Sequence, residues 1–241
     1  MELNTTQISE FKTLVSCLKD ILSDTNIVFT RAGVKIITID KLKKTLVDLV
    51  LPADNFDTYS CESEKIVIAV DMVQFHKIIH GLEADDELTI KYSDGSEYLD
   101  FVFKNSNRNK QLSLKLIEAD GSDSAVPNLV YSHISKIDSS EFKKCAKTLI
   151  ADEVSIITKD KDLMFKSDGS YVTTSVSFSK VEYLETTNVE INQRFLLKSM
   201  SAFTKCCALS STVTISQETK RPIIFMFEME IGVLKLCLSP L

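Results

Sequence analysis

Glycine is scarce, six in 241 residues, too few to build the glycine-rich loops that cradle phosphates. No P-loop, GxSxG elbow or HExxH helix occurs. Histidine is scarcer still at three. The one pair in helical ligand register, His76 and His80, has Lys77 beside it and no cysteine or carboxylate on the same turn, so no metal is expected there. The six cysteines form no CxxC pair, and the adjacent Cys206 and Cys207 cannot easily close a disulfide within a regular element. Reduced, mostly buried thiols are the expectation. No apolar run approaches the roughly 20 residues of a membrane span, and the opening MELNTTQISE lacks a basic region followed by an apolar one, so a location inside the cell is expected. No cofactor is implied.

Acidic residues outnumber basic ones, 34 to 28, for a net charge of −6. An evenly spread charge of that sign would argue against a partner as acidic as nucleic acid. The distribution therefore matters more than the sum. With 44% hydrophobic and 26% charged residues the chain reads as globular, long enough for one or two domains.

The four letters SEFK occur twice, at Ser9–Lys12 and Ser140–Lys143. After the first, Phe11, Leu14, Val15, Leu18 and Leu22 recur at helical spacing, and NIVFT and VKIITID then flank the turn Arg31-Ala32-Gly33. After the second, Phe142, Cys145, Ala146, Leu149 and Ile150 make a helical stripe, followed by VSIIT, a KDKD turn and LMFKS. Between these copies IVIAV leads into a helix carrying Met72, Phe75, Ile78 and Ile79, then ELTIKYS, a turn at Asp94-Gly95-Ser96 and YLDFVFK. Near the C-terminus NVEIN leads into a helix with Phe195, Leu197, Met200 and Phe203, then STVTISQ and PIIFMFEM. Four short helices, each followed by antiparallel strands, predict a duplicated α+β domain. The stretch ADGSDSAVPNL after QLSLKLIE reads as the linker between halves; a long surface loop within one domain has the same composition.

Each predicted helix carries cations opposite its apolar stripe. Lys12, Ser16 and Lys19 share a face on the first, His76, Lys77 and His80 on the second, Lys143, Lys144 and Lys147 on the third, and Lys198, Ser201 and Lys205 on the fourth. One such face is commonly a solvated surface. Four in a net acidic protein point to segregated charge, and lysines without interleaved aromatics favour backbone contact with duplex nucleic acid over base stacking. The acidic run Glu83–Glu87 invites a two-metal nuclease reading, but its place between a helix and a strand fits a solvated connection better. A binding protein, and no enzyme, is expected.

The stretches FDTYSCESEKIVIAVDMVQFHKII and LSSTVTISQETKRPIIFMFEMEIGVLKLCLSPL, the SEFK helices and the Val126-Pro127 linker together resemble the proliferating cell nuclear antigen (PCNA) family of sliding DNA clamps over essentially the whole chain. The resemblance implies the α+β DNA-clamp fold, with two similar domains each carrying two helices on antiparallel sheets, at 1–115 and 134–241 joined by a connector at 116–133. It also implies a homotrimeric, pseudo-sixfold ring around duplex DNA, bound without sequence preference. On that basis Lys12, Lys19, Lys77, His80, Arg108, Lys110, Lys143, Lys144, Lys147, Lys198 and Lys205 face DNA. Thr13 and His80 stand where many members carry lysine, which makes the channel slightly less positive.

The same resemblance implies a pocket for a short motif shared by DNA polymerase, the clamp loader and other partners, at Ile39, Asp40, Lys44, Val126, Pro127, Tyr131, Pro222, Cys237, Leu238, Ser239 and Pro240. Lys44, Ser124 and Cys237 depart from the apolar or aromatic residues usual there, leaving partner preference open. Subunits would meet edge to edge, Leu112, Leu114 and Leu116 of one against Val172, Thr174, Val176 and Phe178 of the next. The implied role is a processivity factor for replication and repair, in the nucleus or, for a virus or a cell without a nucleus, at the replication site. A subunit of a heteromeric checkpoint ring has the same fold and remains an alternative; a metal-dependent DNA-processing enzyme built on residues 83–87 is a remote one.

Overall fold

A computed structural model describes residues 1–119 and 130–241. The chain divides into two compact units, one of Met1–Lys41, Asp48–Ala125 and Met229–Val233, the other of Leu42–Val47, Val126–Glu228 and Leu234–Leu241. The expected linear split at 116–133 thus meets two short excursions, 42–47 and 229–233, that composition does not announce.

The first unit holds helices α1 (Ile8–Ile21) and α2 (Met72–His80). An antiparallel sheet runs in the order Thr58–Ser60, Glu2–Thr5, Glu87–Lys91, Tyr98–Lys104, Asn109–Lys115. A second set places Asp24–Thr30 between Gly33–Ile39 and Ile66–Asp71. In the second unit stand α3 (Ser139–Thr148) and α4 (Leu197–Phe203). Its sheets run Thr173–Ser177, Asp162–Asp168, Glu153–Lys159, Ile191–Leu196, and Glu182–Glu185, His133–Asp138, Thr212–Gln217, Ile223–Glu228. Every helix follows a strand and precedes a run of antiparallel strands, so the SEFK repeat reflects one strand–helix–strands module used four times.

Local chemistry sets the helix starts. The strands ending at Asp71 and Asp138 hand over a carboxylate that caps the next helix, accepting from Gln74 N at 2.8 Å and from Ser140 N at 2.7 Å. Strand alternation does the rest: Phe101, Phe103, Phe165 and Phe225 point inward with no accessible surface. Phe225 lies between Phe142 of α3 and Phe203 of α4, at ring distances of 5.3 and 5.5 Å. That packing seats both helices on one sheet face. In the first unit Phe75 of α2 meets Phe101 at 5.7 Å. An apolar cavity of about 40 Å³ remains among Leu14, Val15, Val34, Leu49, Phe75 and their neighbours.

Two helix ends differ from the periodicity. α3 stops at Thr148, leaving Leu149 extended and Ile150 67% exposed. α4 begins only at Leu197, so Phe195 belongs to the strand Ile191–Leu196 and Lys205 lies beyond the helix. The same device sits at both C-terminal ends: Thr148 Oγ donates to Cys145 O and Thr204 Oγ to Ser201 O, each at 2.7 Å. A side chain that bonds the carbonyl three residues back competes with continuing the ladder. All six cysteines are reduced. Among the described residues no helix is long and apolar enough to cross a membrane.

Candidate nucleic-acid interface and partner surface

In the first unit α1 and α2 present the cations together, and several are already engaged. Lys12 Nζ donates to Leu82 O at 2.7 Å, placing an ammonium just past the C-terminal end of α2, where the helix dipole favours it. Lys19 pairs with Asp20 at 3.3 Å. Lys77 is exposed and reaches Gln74 Oε1 at 3.5 Å. His80 is exposed and stacks on the half-buried His76, which meets Ser16 of α1 at 2.9 Å. Lys110 is exposed, its ammonium 5.7 Å from the Phe103 ring centre.

Arg108, also assigned to the DNA face, is already engaged. Its guanidinium donates to Glu83 at 2.5 Å and Asp86 at 2.8 Å, so it is held within the unit. Asp86 has no side-chain exposure and also accepts from Glu83 N at 2.7 Å and Asn105 Nδ2 at 2.9 Å. Burial acts to raise the Asp86 carboxyl, but the Glu83 amide and Arg108 outweigh it and hold the group below the usual carboxylate range. Glu83 and Asp86 of the acidic run therefore lock the loops at 81–86 and 105–108 together. No group of three or more His, Cys, Asp or Glu among the described residues could hold a metal ion.

In the second unit Lys143, Lys144 and Lys147 line the exposed side of α3, Lys144 paired with Glu141 at 2.7 Å. Lys198 is exposed on α4 and Lys205 on the turn after it. Thr13 is half-buried and donates to Ser9 O at 2.9 Å.

The residues assigned to a partner pocket fall into three groups. Ile39, 51% exposed, ends a strand of the first unit, and Asp40 follows it. Val126 and Pro127, with Ser124, lie outside the described residues. The others belong to the second unit. There the buried Tyr131 donates its phenol to Pro222 O at 3.1 Å, Arg221 Nη1 donates to Val130 O at 3.1 Å, and Ser239 N donates to Lys44 O at 2.8 Å. Burial, then the nearby Cys237, pushes the Tyr131 phenol up to about 12, so it stays a donor at neutral pH. Pro240 is half-buried, whereas Leu238 has no accessible surface and Cys237 very little, so these two support the surface from beneath instead of lining it.

Both predicted contact strands are sheet edges within their own units: Asn109–Lys115 in the first, Thr173–Ser177 in the second. On the first edge Leu114 is buried at 6% exposure opposite Leu99, while Leu112 and Leu116 are half-exposed. Leu112, Leu114 and Leu116 share one face of the pleat, and of the three Leu114 is the one packed into its own core. On the second, Val172 is exposed and Thr174, Val176 and Phe178 are half-exposed, with Phe178 against Phe165 at 5.4 Å.

Sequence reasoning missed the Lys12–Leu82, Ser16–His76 and Arg108–Asp86 contacts. Polar side chains far apart in the chain carry no periodic signal of their pairing.

Two family models match, "Proliferating cell nuclear antigen, N-terminal domain" over residues 1–124 and "Proliferating cell nuclear antigen, C-terminal domain" over 125–241. Between them they account for the whole chain and for two similar antiparallel units with two helices each. Members of this family are non-catalytic clamps that bind DNA and partner proteins in replication. The chain belongs to the proliferating cell nuclear antigen family of sliding DNA clamps and has its α+β clamp fold.

Proposed function

We propose that three copies of the chain close into a ring around duplex DNA and hold polymerase and other replication and repair proteins at their substrate. The observation that carries this reading is the charge arrangement: exposed Lys77, Lys143, Lys147, Lys198 and Lys205 stand on or beside the helices of a net acidic chain. Lysine contacts to phosphate carry no sequence information, so an enclosing ring slides, and tethering raises the local concentration of a bound polymerase. The edge strands Asn109–Lys115 and Thr173–Ser177 are the surfaces through which copies join, and the Tyr131–Pro222 region is where partner motifs dock. The site of action is the nucleus, or the replication site of a virus or a cell without a nucleus.

The test is light scattering across a dilution series, followed by polymerase stimulation on primed DNA. A mass of three chains, with stimulation lost on charge reversal at Lys77, Lys147 and Lys205 while the mass is kept, is expected. A monomer at all concentrations would replace the homotrimer with a heteromeric ring. Stimulation that survives the reversal at physiological salt would remove the lysine face from the mechanism.

A further inference from the structure

The rings of His76 and His80 stack on α2 with centroids 5.4 Å apart and planes 17° from parallel. From α1, Ser16 Oγ stands 2.9 Å from His76 Nε2. The charged groups around them are mostly cations. Lys77 shares their turn, Lys12 Nζ reaches Leu82 O just past His80, Lys19 follows Ser16 by three residues on α1, and Lys110 Nζ lies 3.6 Å from where a Cβ on Gly81 would stand. The nearby carboxylates are engaged or outward: Asp20 with Lys19, Glu83 and Asp86 with Arg108, and Asp85 exposed on the following loop.

Two imidazolium rings stacked in that setting would repel each other, and an anion over the stack offsets that repulsion. With His76 in the Nδ1–H tautomer, the Ser16 contact changes direction with the same proton: neutral His76 accepts the Ser16 hydroxyl hydrogen at Nε2, whereas protonated His76 donates Nε2–H to Ser16 Oγ and the hydroxyl hydrogen is released to point at an anion. We propose that Ser16, His76 and His80 form a phosphodiester site that fills by taking up protons from solvent, adding charge and one neutral donor to the lysine face when a DNA phosphate arrives. This rests on the reading that the helix faces meet duplex DNA.

The experiment is calorimetric titration of the full-length protein with a short blunt duplex near neutral pH, in two buffers of different ionisation enthalpy, which counts protons taken up on binding. Net proton uptake on duplex binding is expected. It should vanish in the double variant His76→Gln, His80→Gln, which still binds through lysines. A salt slope steeper at about pH 6 than at about pH 8, by about 0.9 per histidine charged, should accompany it. Ser16→Ala should weaken binding at the lower pH and leave it unchanged at the higher. Duplex binding without proton uptake overturns this site and leaves the lysine reading standing. Absence of duplex binding by the wild type overturns both. Thermal melts of the variants separate either result from misfolding.

Discussion

Replacing Asp86 with alanine removes the centre of the lock beside α2. The carboxylate has no exposure and accepts three hydrogen bonds, at 2.7 Å from Glu83 N, 2.9 Å from Asn105 and 2.8 Å from Arg108. Breaking a buried charged pair from one side typically costs about 3–5 kcal/mol. Arg108 keeps Glu83 as a partner and is 35% exposed, so water covers part of what Asp86 leaves behind. The low end, about 3 kcal/mol, is therefore expected, a fall in melting temperature of about 6–12 °C for a chain of this size. Thermal denaturation followed by circular dichroism measures it. The pH dependence supplies a second arm. A carboxyl held below its ordinary value stabilises fully above the unfolded value of about 4, and the contribution is lost as pH falls through the folded value. The gap between wild type and variant should be constant at neutral pH and shrink in acid. A variant melting within about 1 °C of wild type at pH 7, or a gap undiminished well below pH 4, would refute the assignment of Asp86 as a charged anchor.

Val34→Ile should stabilise the first unit by about 1 kcal/mol, because its extra methylene enters the 40 Å³ apolar cavity; a loss of stability in urea titration would show that the added group does not fit. Gly33→Ala should cost more than about 2 kcal/mol, since φ is +131° and an added Cβ would stand 2.2 Å from Leu51 O, whereas Gly95→Ala, at φ +76° with nothing within 4 Å, should cost about 1. Equal costs for the two glycines would contradict the steric argument. Lys198→Ala should reduce the slope of log K against log salt for duplex binding by about 0.9 per contacting chain, with no change in melting temperature; an unchanged slope removes Lys198 from the interface.

Helices were legible wherever apolar spacing was unambiguous, as from Phe11 to Leu18 or Met72 to Ile79, because one buried stripe on a 3.6-residue period has few other readings. Their ends were not. Apolar Leu149, Ile150 and Phe195 prolong the stripes in sequence, while a threonine hydroxyl bonding a backbone carbonyl accompanies the end of α3 and of α4. The lysine faces could be read from i, i+4 spacing alone, yet which of those charges are tied down could not. Lys12 meets a carbonyl 70 positions away, and Ser16 meets His76 across 60. Likewise nothing in the composition of 42–47 or 229–233 marks them as belonging with distant segments, since that membership is decided by packing.

The cations assigned to the DNA face include a single arginine, Arg108, and it is bound to Glu83 and Asp86. Apart from His80, what remains is ammonium groups on flexible stems. A guanidinium grips a phosphate through a fixed fork, and each step along a backbone would break a directed pair of bonds. An ammonium is nearly isotropic and can pass from one phosphate to the next by rotating its stem. The energy of such a face therefore varies little with position along a duplex, which is the condition for low friction: attraction without corrugation.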